Sequence, residues 1–162
     1  MDRAGFWTII DDARSGAQDD EAFIGRLAVR LRGLTPQELT QFQAQFEEVH
    51  TGSYAWEPWG AAYIVNGGCS DDGFEYFRAW LIAQGRRTFE RVMADPDTLV
   101  EVSGEYELEE LMSIAVTIYE EQTGGQTMPR ARIPYPDLGE GWDFEDAEEM
   151  RRRYPRLIAR YR

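Results

Sequence analysis

The 162-residue sequence predicts an all-α fold, a single-domain helical bundle with a Gly/Pro-rich arm before a C-terminal helix. Three observations carry that expectation. Apolar residues recur three and four positions apart in several long stretches, as in Phe23, Ile24, Leu27 and Leu31. Helix start and stop signals bracket those stretches. No run alternates apolar and polar residues as a half-buried strand requires, and no internal repeat is present.

The elements follow in order. GFWTIIDDAR, residues 5–14, places Phe6, Ile9 and Ile10 on one side of a short helix. After the loop SGAQDD, a second helix runs from about Asp20 to Leu31, and Gly33 ends it. Thr35-Pro36-Gln37-Glu38 opens a third: threonine caps, proline suits the first turn, and the glutamate three residues on completes a capping box. Its buried side carries Leu39, Phe42 and Phe46, and it ends near His50. Glu57-Pro58 starts a helix with almost no polar surface, so it should be buried all round. Asn66-Gly67-Gly68 stops it, and Ser70 caps the next helix with Asp71 and Asp72 in its first turn, where acids suit the dipole. That helix ends at Gly85, and residues 86–93 form a short one. Asp95-Pro96-Asp97 breaks the chain, with Leu99 to Val102 a short strand or irregular. Glu105 to Glu121 reads as the last long helix of the body. From Thr123 to Trp142 the chain is rich in Gly and Pro, an ordered arm or a flexible linker. A final helix from about Phe144 is interrupted at Pro155. The expected organisation is a helical domain over residues 1–122, an arm over 123–142 and a basic C-terminal helix over 143–162.

Composition narrows the chemistry. At 43% hydrophobic and 13% aromatic residues the chain can build a core, so it is not a disordered composition. No apolar run approaches the roughly 18 residues of a membrane span, and the N-terminus MDRAGFW lacks a signal-peptide stretch. The expected location is cytoplasmic, with no membrane partner. One cysteine, Cys69, forms no internal disulfide, and with one histidine, His50, it cannot build a Cys/His zinc site. No EF-hand spacing, P-loop or GxGxxG is present, so neither cofactor nor metal is expected. A formal net charge of −13 repels nucleic acid and anionic lipid. Charge is uneven: DLGEGWDFEDAEE is acidic, while the tail carries Arg151, Arg152, Arg153, Arg156, Arg160 and Arg162. The tail could pair with the acidic body, or cross to another subunit of a homodimer.

The segment Asn66 to Gly85, NGGCSDDGFEYFRAWLIAQG, is the most distinctive. Stepped at about 100° per residue, Phe74, Phe77, Trp80, Leu81 and Gln84 gather on one side of its helix. Asp71, Glu75 and Arg78 form a polar stripe on the other, within mutual reach, with Asp72 and Tyr76 beside it. The structural reading is capping acids and an exposed i,i+3 pair. The functional reading rests on density: three glycines at 67, 68 and 73, the charged stripe, and the rings of Tyr54, Trp56, Trp59 and Tyr63 just before it. The acids at the helix start disfavour a phosphate, and a cationic or hydroxyl-rich ligand suits them better. Asp71, Asp72, Glu75, Tyr76, Arg78 and Trp59 are the candidate ligand-binding residues. No catalytic residue is assigned. Cys69 beside a helix start could be an activated thiolate, but its acidic neighbours oppose that and nothing local brings His50 to it.

N-G-G-C-S-D-D-G-F-x-Y-F-R-x-W-L-I-x-Q-G, followed by Asp95-Pro96-Asp97, resembles a bacterial family of uncharacterised proteins, domain of unknown function 4240. The likeness is most specific from about Trp59 to Leu99. It implies no activity, cofactor or partner.

The function expected from the residues is a non-catalytic module that binds a small polar ligand or an unknown protein. Two alternatives stand beside it: a carboxylate-based enzyme, with or without a divalent ion, and an acidic partner protein of the immunity or antitoxin kind that masks a basic effector.

Overall fold

Helix α5 (Asp71–Ala83) contributes side chains to both apolar clusters of the protein and packs against the helices Arg3–Ser15, Pro36–Gly52, Trp56–Asn66 and Arg86–Ala94 and the 3₁₀ turn Glu109–Met112. In the computed structural model, which describes residues 1–162, there are helices and no strands. The all-α expectation holds. Seven consecutive residues of α5, Phe77 to Ala83, are buried. A helix is enclosed in this way only when neighbours cover every face. Ala79, Ile82 and Ala83 belong to one apolar cluster, and Phe74, Phe77, Trp80 and Leu81 to a second.

The first cluster lies between α1 (Arg3–Ser15), α2 (Asp20–Arg32), α3 (Pro36–Gly52) and α7 (Ile114–Thr123). The signals read in the sequence set these helices locally. Asp2 and Asp19 cap α1 and α2 through Gly5 N–H and Ala22 N–H. The capping box of α3 forms in full: Thr35 Oγ1 accepts from Glu38 N–H at 3.2 Å, and Glu38 accepts from Thr35 N–H at 2.8 Å.

The second cluster joins α4 (Trp56–Asn66), α6 (Arg86–Ala94), the 3₁₀ helix Pro96–Glu101, α8 (Ala147–Arg153) and α9 (Pro155–Tyr161) to the other side of α5. Gly60 lets α4 approach the C-terminal helices: a Cβ there would lie 2.2 Å from the Tyr154 hydroxyl. That hydroxyl donates to the Glu57 carbonyl at 2.6 Å. Asp97, 6% exposed, accepts from Arg156 N–H at 3.1 Å and Leu157 N–H at 2.9 Å, so it caps the first turn of α9 from across the chain.

Four stretches differ from the sequence reading. Leu99 to Val102 is neither strand nor wholly irregular, because Pro96–Glu101 winds as a 3₁₀ helix that packs on α6 and α9. Glu105 to Glu121 is not one helix. Residues 102–108 are irregular, a 3₁₀ turn spans Glu109–Met112, and regular helix starts only at Ile114. Packing on Trp80 overrides helical propensity there: the Tyr106 ring meets the indole edge-on at 4.9 Å, with Tyr106 itself at φ 62°. Gly104 crosses the same indole, where a Cβ would fall 2.7 Å from the ring. The third difference is α4, which begins at Trp56 and leaves Tyr63 and Val65 half-buried, because α5, α9 and the 3₁₀ helix do not enclose it fully. The fourth is the last helix, which starts at Ala147 on the Asp146 cap.

Residues 124–146 contain no helix. They lie along the body, not away from it. Met128 is buried in the first cluster, Leu138, Trp142 and Phe144 pack on the second, and Arg130 pairs with Glu47 at 2.6 Å. No helix is long and apolar enough to cross a membrane.

Candidate functional site

The six candidate residues of α5 and α4 separate into three places. Arg78 is the first. It is 2% exposed and turned inward, away from the stripe that helical periodicity assigns it. Its Nη1 donates to the His50 carbonyl at 2.5 Å, and its Nε has no partner. No carboxylate pairs with it, neither Asp71 nor Glu75. Rings hold the charge: the guanidinium carbon lies 5.0 Å from the Phe74 centroid, 5.2 Å from Tyr54 and 5.7 Å from Tyr135 of the arm. Burial pulls the Arg78 pKa below the usual arginine value, while the Tyr135 hydroxyl and the nearby Glu75 act the other way. The inward turn has a physical cause. The face of α5 that carries Arg78 abuts the end of α3, whose last carbonyls need donors.

His50 completes that joint. Its ring stacks on Phe46 at 5.2 Å, and its Nε2–H donates to the Glu75 carbonyl at 2.9 Å. Burial, reinforced by the Arg78 charge, pushes its pKa down to about 4, so it is neutral near pH 7. Cys69 does not meet it. Burial, then Glu107 and Asp71, push the thiol up to about 12. A protonated thiol and an imidazole committed to a backbone carbonyl do not make a nucleophile–base pair.

Trp59 and Asp71 mark the second place. Trp59 stacks on Phe74 at 4.8 Å and on Trp56 at 5.5 Å, and its indole N–H donates to the Cys69 carbonyl at 3.0 Å. It is a packing residue that also ties the turn before α5. Asp71 is exposed beside Tyr54, whose pKa is raised by burial and then by that carboxylate.

The third place holds Tyr76, with Asp72 and Glu75 beside it. Tyr76 lines an open groove of about 1060 Å3 between the start of α2, the middle of α5 and residues 103–110. Asp19, Asp20, Glu21, Glu105, Glu107, Glu109 and Glu110 line it too, against one cation, Arg14. Arg14 is taken up by Asp20 at 2.8 Å, and Asp20 also accepts from the Trp80 indole at 3.1 Å. The other six carboxylates have no cationic partner within 4.0 Å. The field registers on Tyr76: Glu109 first, then burial, Asp72, Glu75 and Glu107 raise its pKa. Ile24 and Leu108 are the aliphatic residues on its otherwise mostly polar lining. Its acidic wall is held in place, because Leu108 N–H donates to the Tyr76 carbonyl at 3.2 Å and Tyr106 is seated on Trp80.

Helical periodicity pointed to Tyr76 but not to this wall. Glu105, Glu107, Glu109 and Glu110 read as the polar side of a helix that does not form. Their acidic density was the only signal available. No group of three His, Cys, Asp or Glu side chains converges as metal ligands would.

The family profile described as protein of unknown function (DUF4240) matches residues 1–121 of the 162. The chain belongs to DUF4240. The match takes in α1 to α6, the groove and nearly all of α7. The arm, α8 and α9 lie beyond the matched residues; within the DUF4240 region, Asp97 accepts from the first-turn N–H groups of α9, and Gly60 leaves room for Tyr154. No curated protein and no solved structure matches the chain.

Proposed function

We propose that this protein is a non-catalytic interaction module whose acidic groove takes a basic protein partner. The observation that carries this reading is the groove itself: six carboxylates without a cationic partner, together with Tyr76, Ile24 and Leu108, with its 103–110 side tied to α5 through the Leu108 N–H. An aromatic residue and two aliphatic ones among charged neighbours suit a protein interface. The excess of one charge steers an oppositely charged partner. The protonated Cys69 and the occupied His50 favour binding over nucleophilic chemistry.

The test separates the groove from net charge alone. One variant carries Glu105→Gln, Glu107→Gln and Glu109→Gln. A control carries Glu120→Gln, Glu145→Gln and Glu148→Gln, which remove the same charge outside the groove. With an oligoarginine peptide as probe, the groove variant should lose about tenfold in affinity, about 1.4 kcal/mol. The control should stay within about twofold of the parent. Equal losses in both would reduce the binding to bulk charge and overturn the reading.

A further inference from the structure

Arg78 holds a buried charge without a counter-ion, beneath a part of the chain that can leave. It is 2% exposed, no carboxylate lies within 4.0 Å of it, and its Nε–H has no acceptor. Nε–H lies on the edge with which a guanidinium grips a carboxylate through two parallel bonds, whereas Nη1 is committed to the His50 carbonyl. Three rings surround the guanidinium. Phe74 is fully buried, Tyr54 is half-buried and Tyr135 is 54% exposed, so Tyr135 is the cover on the solvent side. It belongs to the arm, outside the DUF4240 residues that supply Arg78, Tyr54 and Phe74. The arm is tied on either side of it, by Arg130 on Glu47 and by the Gly139 carbonyl on the Trp56 indole. Between those ties, residues 131–138 form no backbone–backbone hydrogen bond, and their side chains are exposed or half-buried. A segment with so few bonds opens locally at low cost.

We propose that Tyr135 is a displaceable cover over a site for a small aromatic carboxylate, and that Arg78 is the group that grips it. The site is separate from the acidic groove and does not depend on it. The place that Tyr135 occupies defines the shape of the ligand: a flat ring set edge-on to Tyr54, at 5.0 Å and 69°, beside the guanidinium. The Tyr135 hydroxyl supports the Arg78 charge only as a neutral group. A carboxylate on such a ring brings a full counter-charge to the Nε–H edge, and a buried charge gains most from an opposite charge that also bonds to it. The neighbours limit the ligand to one negative charge. Glu75 acts on Arg78 and Asp71 stands beside Tyr54, so a phosphate dianion would be repelled, and His50, neutral near pH 7, adds no second cation. Because the cover is closed without ligand, the affinity of the parent chain is reduced by the small fraction of open molecules.

Benzoate is the probe, and the Arg78 Nε–H resonance of the full chain, followed by NMR, is the readout. Tyr135→Ala, at an exposed position, should bind benzoate at least about tenfold tighter than the parent, with a saturable downfield shift of that resonance as the carboxylate accepts from it. Benzamide, neutral and of nearly the same shape, should bind Tyr135→Ala at least about tenfold more weakly than benzoate does. Tyr135→Ala combined with Arg78→Met should lose benzoate while its circular dichroism stays that of the parent. The benzamide comparison needs no substitution at Arg78, so it decides the matter even without that double variant. An unmoved Nε–H resonance in Tyr135→Ala would overturn the proposal. So would a benzoate affinity no higher than the parent's, which would mean that Tyr135 covers no site. Equal binding of benzamide would make the place merely apolar, and benzoate binding that survives Arg78→Met would put the ligand elsewhere; either result also overturns it.

Discussion

Arg78 Nη1 donates to the His50 carbonyl at 2.5 Å, and His50 Nε2–H donates to the Glu75 carbonyl at 2.9 Å, so α3 and α5 are joined by a reciprocal pair of bonds across their buried contact. The joint needs no carboxylate. Three aromatic rings stand where a counter-ion would be.

That arrangement predicts different outcomes for two substitutions of Arg78. Arg78→Ala removes the ring contacts and leaves a hole, at a cost of about 2–4 kcal/mol. Arg78→Met fills the volume and removes a charge that is costly to desolvate, so stability should change by less than about 1.5 kcal/mol. The His50 carbonyl keeps the Ser53 hydroxyl as donor at 2.8 Å in either variant. Urea denaturation distinguishes the two, and equal large losses would mean that the charge itself is essential to the joint.

Acid should weaken the fold through His50. Its folded pKa is depressed from 6.5 to about 4, so the unfolded chain takes up the proton first. The contribution is fully present above about 6.5 and is lost as pH falls from 6.5 towards 4. At 1.36 kcal/mol per unit the loss is on the order of 3 kcal/mol. His50→Gln should flatten that part of the stability profile. Because the chain has one histidine, NMR titration of its imidazole is unambiguous, and a midpoint near 6.5 would contradict the burial argument.

Asp97→Ala should cost about 2–3 kcal/mol, since it leaves the backbone N–H groups of Arg156 and Leu157 without an acceptor where α9 packs on α4. Asp97→Asn retains one acceptor and should cost about half as much. Chemical denaturation checks both. A loss under about 0.5 kcal/mol for the alanine variant would show that α9 is held by its apolar face alone.

Much of this architecture was written locally. The Thr35–Glu38 capping box, the Ser70 cap on Gly73 N–H and the stop at Gly85 each depend on residues within four positions, and each is visible as a string of letters. What escaped is non-local. Asp97 caps a helix about sixty positions on. Tyr106 and Gly104 give up helical conformation to cover Trp80. Arg78 defeats a periodicity argument, because such an argument sends every charge outward and cannot see that α3 ends against that face. For the same reason the site split. Tyr76 could be seen as part of a polar face, but the wall opposite it comes from a segment that reads as helix and folds as something else.

The most direct test of the groove as a partner surface is an NMR footprint. Backbone amide shifts of the full chain would be recorded during titration with the oligoarginine peptide near pH 7, at low and at high salt. Perturbations concentrated on residues 18–24, around Tyr76 and over 103–110 are expected, fading as added salt shortens the screening length from about 10 Å to about 3 Å. Perturbations spread evenly over the acidic surface, or centred on the acidic stretch before the C-terminal helices, would contradict it.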